Sequence, residues 1–276
     1  MTEFTKIHGN GNDFIIIDET SEKIVPDNEK ANFAVEYCDR RFGVGGDGVI
    51  FISRPENADL KMRLFQPDAS EAEMCGNGIR CLVKYAYDNQ YIPIGESTVE
   101  TMVDTLKVST REGEGKFWVN VNMGAPFEKR KDLPAEGEPE SEFMDVEMHG
   151  YEVSVVNTGV PHAIVFVKEL DKIDILDVAP RIRYDNVFPN GVNVNFVSIV
   201  SDSVIKVRTY ERGVEDETLS CGTGSVAAAY LSFKKGYTDN EVEVHTQGGI
   251  LNIQVDTDTT FMEGPAETVY SGVILK

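Results

Sequence analysis

Two cysteines in this chain sit in matching settings that could move protons. Cys75 opens the run Cys-Gly-Asn-Gly and Cys221 opens Cys-Gly-Thr-Gly. Apolar residues then recur at helical spacing: Ile79, Leu82, Val83 and Ala86 after the first, and Val226, Tyr230 and Leu231 after the second. A cysteine at the start of a helix lies beside unpaired N–H groups and the positive end of the helix dipole. That field lowers the thiol pKa below its usual value of about 8.5 and makes the sulfur a proton acceptor. The glycines let a ligand approach the backbone, and the same N–H groups can hold a carboxylate. Two such turns facing each other would supply a base on one side of a carbon and an acid on the other. Inverting a stereocentre needs that arrangement, with the developing charge held by the helix N-termini. One thiol must be ionised while the other is protonated, so the pair titrates as a unit.

The remaining side chains offer less chemistry. Cys38 and Cys81 read as small buried apolar residues. There is no C-x-x-C, and His8, His149, His162 and His245 are scattered, which argues against a structural zinc site. The two thiols can carry the chemistry, so no metal and no cofactor is expected. Gly43-Val-Gly45-Gly46-Asp-Gly48 matches the G-x-G-x-x-G pattern, but a strand-like run, Val49 to Ile52, follows it. A dinucleotide site needs that loop to follow a strand and open a helix, so the run reads as a turn before a strand.

The elements that must position the cysteines repeat along the chain. The stretch from Arg63 through Cys75 resembles that from Val207 through Cys221: a basic strand, an acidic turn, the cysteine, then a helix. GNGNDFIIID, from Gly9, resembles NTGVPHAIVFV, from Asn157. GVGGDGVIFI, from Gly43, resembles GVNVNFVSIV, from Gly191. The order is the same and the offset is near 146 to 149 residues, which points to duplicated halves across one cleft. The expected fold is α/β with two pseudo-symmetric halves. We expect one half over 1–120, joined by a returning C-terminal strand at about 266–276, and the other over 121–265. Strands are expected near Ile15–Asp18, Val49–Ser53, Phe117–Met123, Glu152–Val156, Ala163–Val167 and Val204–Tyr210. Lys129 to Gly150 is polar, contains prolines, and reads as an irregular excursion.

The chain has 276 residues, 41% of them hydrophobic, and a formal net charge of −21. So negative a field repels phosphate backbones, which argues against nucleic acid as a partner. No apolar run is long enough to span a membrane, and the first residues lack the pattern of a signal peptide. A cytoplasmic enzyme acting on a small amino acid is expected, and a homodimer is compatible with that reading.

The sequence resembles the diaminopimelate epimerases, within the racemases that work without pyridoxal phosphate. The resemblance rests on KIHGNGNDFIIID, RRFGVGGDGVIFI, SEAEMCGNGIRC, GVPHAIV, GVNVNF and YERGVEDETLSCGTGS, which span residues 6 to 225. It implies two halves, each a β-sheet wrapped around a central helix, with the active site in the cleft between them. It implies conversion of LL- to meso-2,6-diaminopimelate in lysine biosynthesis. Cys75 would be the base toward the LL substrate and Cys221 would return the proton. Backbone N–H groups of Gly76, Asn77, Gly222 and Thr223 would hold the reacting carboxylate. Asn12, Gln66, Asn193, Glu211 and Arg212 would line the substrate pocket, and His162 would support it. Arg212 suits the distal carboxylate and Glu211 the distal ammonium. Many members carry asparagine where Gln66 and Val160 stand, glutamine at Gly48 and glycine at Ala69. Two other readings use the same cysteines: a racemase for another amino acid such as histidine, and a thiol redox sensor or binding protein.

Overall fold

The computed structural model describes residues 1–275. The first elements are β1 (Thr2–Gly9), β2 (Asn12–Asp18), α1 (Lys30–Cys38), β3 (Gly48–Ser53), β4 (Leu60–Phe65) and β5 (Glu71–Ala72). They continue with α2 (Gly76–Asp88), β6 (Glu96–Glu100), β7 (Thr105–Gly113), β8 (Lys116–Gly124), β9 (Phe143–Met148) and β10 (Tyr151–Asn157). Then come β11 (Pro161–Phe166), α3 (Ile175–Arg183), β12 (Asn193–Ile199), β13 (Val204–Glu211) and β14 (Asp216–Thr218). The chain closes with α4 (Gly222–Lys234), β15 (Glu241–Thr246), β16 (Gly249–Val255), β17 (Thr260–Pro265) and β18 (Glu267–Ile274).

The chain forms two compact units. One comprises Met1–Asn122 with the stretch from Glu263 onward, and the other comprises Met123–Met262. In the first unit β1 lies antiparallel to both β18 and β2, and β2 runs parallel to β3. Next, β4 pairs antiparallel with β3 and β5 and parallel with β6, and β6 to β8 form a meander. Helix α2 packs against β1, β2, β3, β4 and β18. The opposite face carries α1: Ile15, Ile17, Val49 and Phe51 pack with Ala34 and Cys38. Helices on both faces explain why β2 and β3 are apolar at successive positions rather than alternate ones.

The second unit repeats this order of pairings. Antiparallel β9, β10 and β11 lead to β12 in parallel, then to antiparallel β13 and β14. Strand β13 also takes β15 in parallel, and β15 pairs with β16. Helix α4 packs against these strands, with Val226 to Ala229 and Leu231 fully buried. A helix apolar on most of its surface belongs inside a wrap of strands. The fold is therefore mixed α/β with two similar halves.

Strand register corrects one of the internal matches. Arg63 lies opposite Phe51, and Arg208 lies opposite Phe196. The equivalent segments are thus Gly46–Ser53 and Gly191–Ser198, three residues out of step with the match that pairs Gly43 with Gly191. The other matches keep their alignment, and parallel pairing sets Phe14 against Gly48 as it sets His162 against Asn193. The expected excursion over 129–150 is also partly regular, since β9 lies within it and pairs with β10. Its charged residues face outward while Phe143 and Met148 face the core, so only a minority of its side chains are apolar. The sequence reading also omitted helix α3. It is capped by the Asp174 carboxylate on the Asp177 N–H and buries Ile175, Ala179 and Ile182.

Candidate functional site

Both cysteines are the residue just before a helix. Cys75 has φ −149° and ψ 109°, Cys221 has φ −113° and ψ 114°, and each carbonyl accepts the first helical bond, from Ile79 and Ser225, at 2.9 Å. These are the backbone angles of an N-cap, and they leave the first N–H groups of α2 and α4 open to a ligand or a side chain. Cys75 Sγ accepts the Gly78 N–H at 3.4 Å, so the sulfur itself caps its helix.

Ahead of each turn stands an arginine–carboxylate fork. Arg63 donates from Nε and Nη2 to the two oxygens of Glu71 at 2.7 and 2.9 Å. At the equivalent position Arg208 does the same to Glu217 at 2.7 and 2.8 Å. A bidentate pair has one planar geometry, so each fork locks the short strand that leads into the cysteine.

In the first unit the polar environment of Cys75 comes from asparagines. Asn12 Nδ2 donates to Asp47 Oδ2 at 2.6 Å, which turns Asn12 Oδ1 toward Asn77 Nδ2, at 3.2 Å, and toward Cys75 Sγ, at 4.0 Å. Asn77 Oδ1 accepts from Arg80 Nη2 at 2.5 Å, and Arg80 Nη1 donates to Asn10 Oδ1 at 3.1 Å. Arg80 is fully buried. Gln66, at the end of β4, takes the Ser70 hydroxyl on Oε1 at 2.8 Å across a turn in which Ala69 has φ 71°. That left-handed angle favours glycine, which has no Cβ to clash.

In the second unit a chain of hydrogen bonds leads to Cys221. Thr209 Oγ1 donates to Asn195 Oδ1 at 2.8 Å, so the amide nitrogen of Asn195 faces Ala163 O, at 3.2 Å, and His162 Nδ1, at 3.0 Å. His162 Nδ1 must then accept, which puts its proton on Nε2, facing Thr223 Oγ1 at 2.9 Å. The Thr223 hydroxyl, having accepted there, turns its own hydrogen toward Cys221 Sγ at 3.5 Å. Burial, reinforced by the Arg212 charge, pushes His162 down to about 3, so the imidazole is neutral.

Asn193 joins two strand ends: its Nδ2 donates to Pro161 O at 3.0 Å, and its Oδ1 accepts the Arg212 N–H at 2.8 Å. The Arg212 guanidinium donates only to backbone, to Asn190 O at 3.3 Å and Gly191 O at 3.5 Å. Burial, then the neighbouring Arg183, push its pKa down, with Glu215 opposing. A half-buried cation beside a second cation, with no carboxylate partner among the described residues, is a ready seat for an anion. Glu211 ends β13 one residue earlier, opposite Asp216. Among the described residues no group of three or more histidine, cysteine or acidic side chains could hold a metal, and no helix is long and apolar enough to cross a membrane.

The family model for diaminopimelate epimerase matches residues 4–128 and 154–269. This chain belongs to the diaminopimelate epimerase family. A diaminopimelate epimerase from Methanocella arvoryzae is 55% identical over 99% of this chain and 96% of its own length. One from Methanothrix thermoacetophila is 52% identical over 99% and 95%. The fold is shared more widely. A hydroxyproline epimerase from Agrobacterium vitis, solved with trans-4-hydroxy-L-proline bound, aligns with a TM-score of 0.68 at 15% identity, covering 98% of this chain and 91% of that one. A phenazine biosynthesis protein of the PhzF family from Bacillus anthracis aligns with a TM-score of 0.71 at 20% identity, over 100% and 99%.

Within this member of the epimerase family, the structure gathers Asn12, Gly76 and Asn77 around Cys75, and His162, Gly222 and Thr223 around Cys221. It links Asn193 to Arg212, and it engages Gln66 with Ser70. Sequence reasoning passed over Asp47, Arg80, Asn195 and Thr209. The signal for Asn195 was its place two residues from Asn193, on the same side of an otherwise apolar strand. The signal for Arg80 was a charge inside the apolar stripe of α2, between Ile79 and Cys81.

Proposed function

We propose that this chain interconverts LL- and meso-2,6-diaminopimelate by two-thiol proton transfer, as a cytoplasmic step of lysine biosynthesis. The observation that carries this reading is the duplicated N-cap cysteine, Cys75 and Cys221, in a member of the diaminopimelate epimerase family. Cys75, as thiolate, takes the Cα proton of the LL substrate, and Cys221, as thiol, delivers a proton to the opposite face. The reverse reaction exchanges the roles. As the Cα–H bond breaks, charge flows onto the carboxylate, where N–H groups of Gly76, Asn77, Gly222 and Thr223 receive it. Each such donor is worth about 3 kcal/mol in the transition state. The Asp47–Asn12 and His162–Thr223 contacts hold the two sulfurs in position. Arg212 takes the distal carboxylate and Glu211 the distal ammonium, with Asn193 fixing the backbone between them.

Incubation of the reduced protein with LL-diaminopimelate in D2O tests this. One deuterium should enter at Cα for each inversion, and Cys75→Ala and Cys221→Ala should each abolish inversion. Full inversion by either alanine variant would refute the two-thiol mechanism.

A further inference from the structure

The two units place equivalent backbones around the two cysteines and then charge them differently. Register equates Phe14, Ile50, Leu64, Asn77 and Arg80 of the first unit with His162, Asn195, Thr209, Thr223 and Val226 of the second. The polar chain that reaches Cys221 is thus replaced in the first unit by three buried apolar side chains, Phe14, Ile50 and Leu64. In exchange the first unit puts a guanidinium on the cysteine-bearing helix, where the second has valine.

That guanidinium is in an unusual position. Arg80 is fully buried, donates only to the side-chain carbonyls of Asn10 and Asn77, and leaves its Nε without a partner. Among the described residues it has no carboxylate. Burial pulls its pKa down to about 10, and the groups that oppose this are the sulfurs of Cys81 and Cys75. Cys81 cannot serve as the anion, because its own burial drives its thiol pKa far up. Of the other charges on the elements packed against α2, Glu3 is exposed to solvent and the rest are engaged elsewhere. Lys6 and Arg40 are paired with Asp13, and Arg40 also with Asp47. Asp18 accepts from Tyr85 and Tyr91, Lys61 pairs with Glu100, Arg63 with Glu71 and Asp27, and Lys84 with Asp88. His8 takes the Gly11 N–H on its ring, and Glu267 lies 3.8 Å from Lys116. A buried cation without a carboxylate needs an anion nearby, and Cys75 can become one.

We propose that Arg80 is a positioning residue for the proton itself: it holds Cys75 as the thiolate in the free protein. Cys221, reached by the hydrogen-bonded chain through His162 and Thr223, then carries the proton. The inference deepens the proposed epimerase reading, because it decides which of two duplicated thiols is the resting base. The free protein is then set to attack the substrate isomer whose Cα–H faces Cys75.

The test is alkylation of the reduced protein by iodoacetamide across pH, with each cysteine followed by peptide mass spectrometry. The midpoint pH of each curve reads ionisation, while its plateau reads access. Cys38 and Cys81, buried and driven far up in pKa, should stay unreacted and report that the fold is intact. In the parent protein Cys75 should have the lower midpoint. Arg80→Gln keeps a donor for the asparagines and loses the charge, and it should raise the Cys75 midpoint by about 1–3 pH units. Arg80→Lys, which keeps the charge, should restore most of the shift. A parent protein in which Cys221 titrates below Cys75 overturns the proposal without any variant. So does Arg80→Gln with an unmoved Cys75 midpoint. No substrate is present, so failure of deuterium exchange would sink the epimerase reading and leave this result standing.

Discussion

Replacing Gly224 by alanine is expected to damage the second cysteine turn far more than replacing Gly78 damages the first. Both glycines are the fourth residue of Cys-Gly-x-Gly and lie in the first turn of a helix. Alanine there gains up to about 1 kcal/mol over glycine. A Cβ on Gly78 would reach Ile50 Cδ1 at 3.3 Å and Cys75 Cβ at 3.5 Å, and the isoleucine tip can give way. A Cβ on Gly224 would fall inside 3.0 Å of Asn195 Oδ1, and would lie 3.3 Å from both Cys221 Cβ and His162 Cε1. Asn195 has nowhere to retreat, being fully buried and bonded to Thr209, His162 and Ala163. Displacing it strands two or three buried polar groups, at about 1–3 kcal/mol each. After the helical gain, Gly224→Ala should lose about 1–8 kcal/mol, which in a unit of this size lowers Tm by roughly 3–24 °C. Gly78→Ala should stay within about 1 kcal/mol of the parent. Calorimetry on the two variants and the parent decides the matter. Gly224→Ala unfolding at or above the parent temperature would show that Asn195 is not the rigid neighbour its burial implies.

Two further outcomes follow from the site and its supports. Arg212→Ala removes the proposed bidentate seat for the distal carboxylate, at about 1.5–3 kcal/mol, so kcat/KM for diaminopimelate should fall about 10- to 150-fold. An unchanged value in steady-state kinetics would remove Arg212 from the pocket. Asp13 is held down to about 2: burial alone would raise it, but the bonds from Arg40 and Lys6 outweigh that. A depressed carboxyl contributes stability that is present above its unfolded value of 3.8 and lost as pH falls toward 2. Asp13→Asn should therefore flatten the acid limb of the urea midpoint measured across that window. A variant whose midpoint falls with acid as steeply as the parent's would assign the limb to other carboxylates.

Much of this protein is written locally. The paired Cys-Gly-x-Gly turns could be read because the N-cap, the glycines and the helical period all lie within about a dozen residues of each cysteine. The duplication was visible for the same reason, and Asn12, Asn193, Glu211 and Arg212 were named only by resemblance. Other features exist only once strands pair. The three-residue slip between Gly43 and Gly46 is invisible in a glycine-rich run and is settled by the register that puts Arg63 opposite Phe51. Asn195 reads as one polar residue in an apolar strand until β12 meets β11 and β13 and gives it His162 and Thr209. Arg80 is only a charge beside apolar neighbours in the sequence until β1, β2, β3, β4 and β18 enclose its helix and leave it without a carboxylate among the described residues. Which groups could do chemistry follows from residue types at short spacing. Which of them are charged, oriented and dry follows from burial, and burial belongs to the tertiary structure.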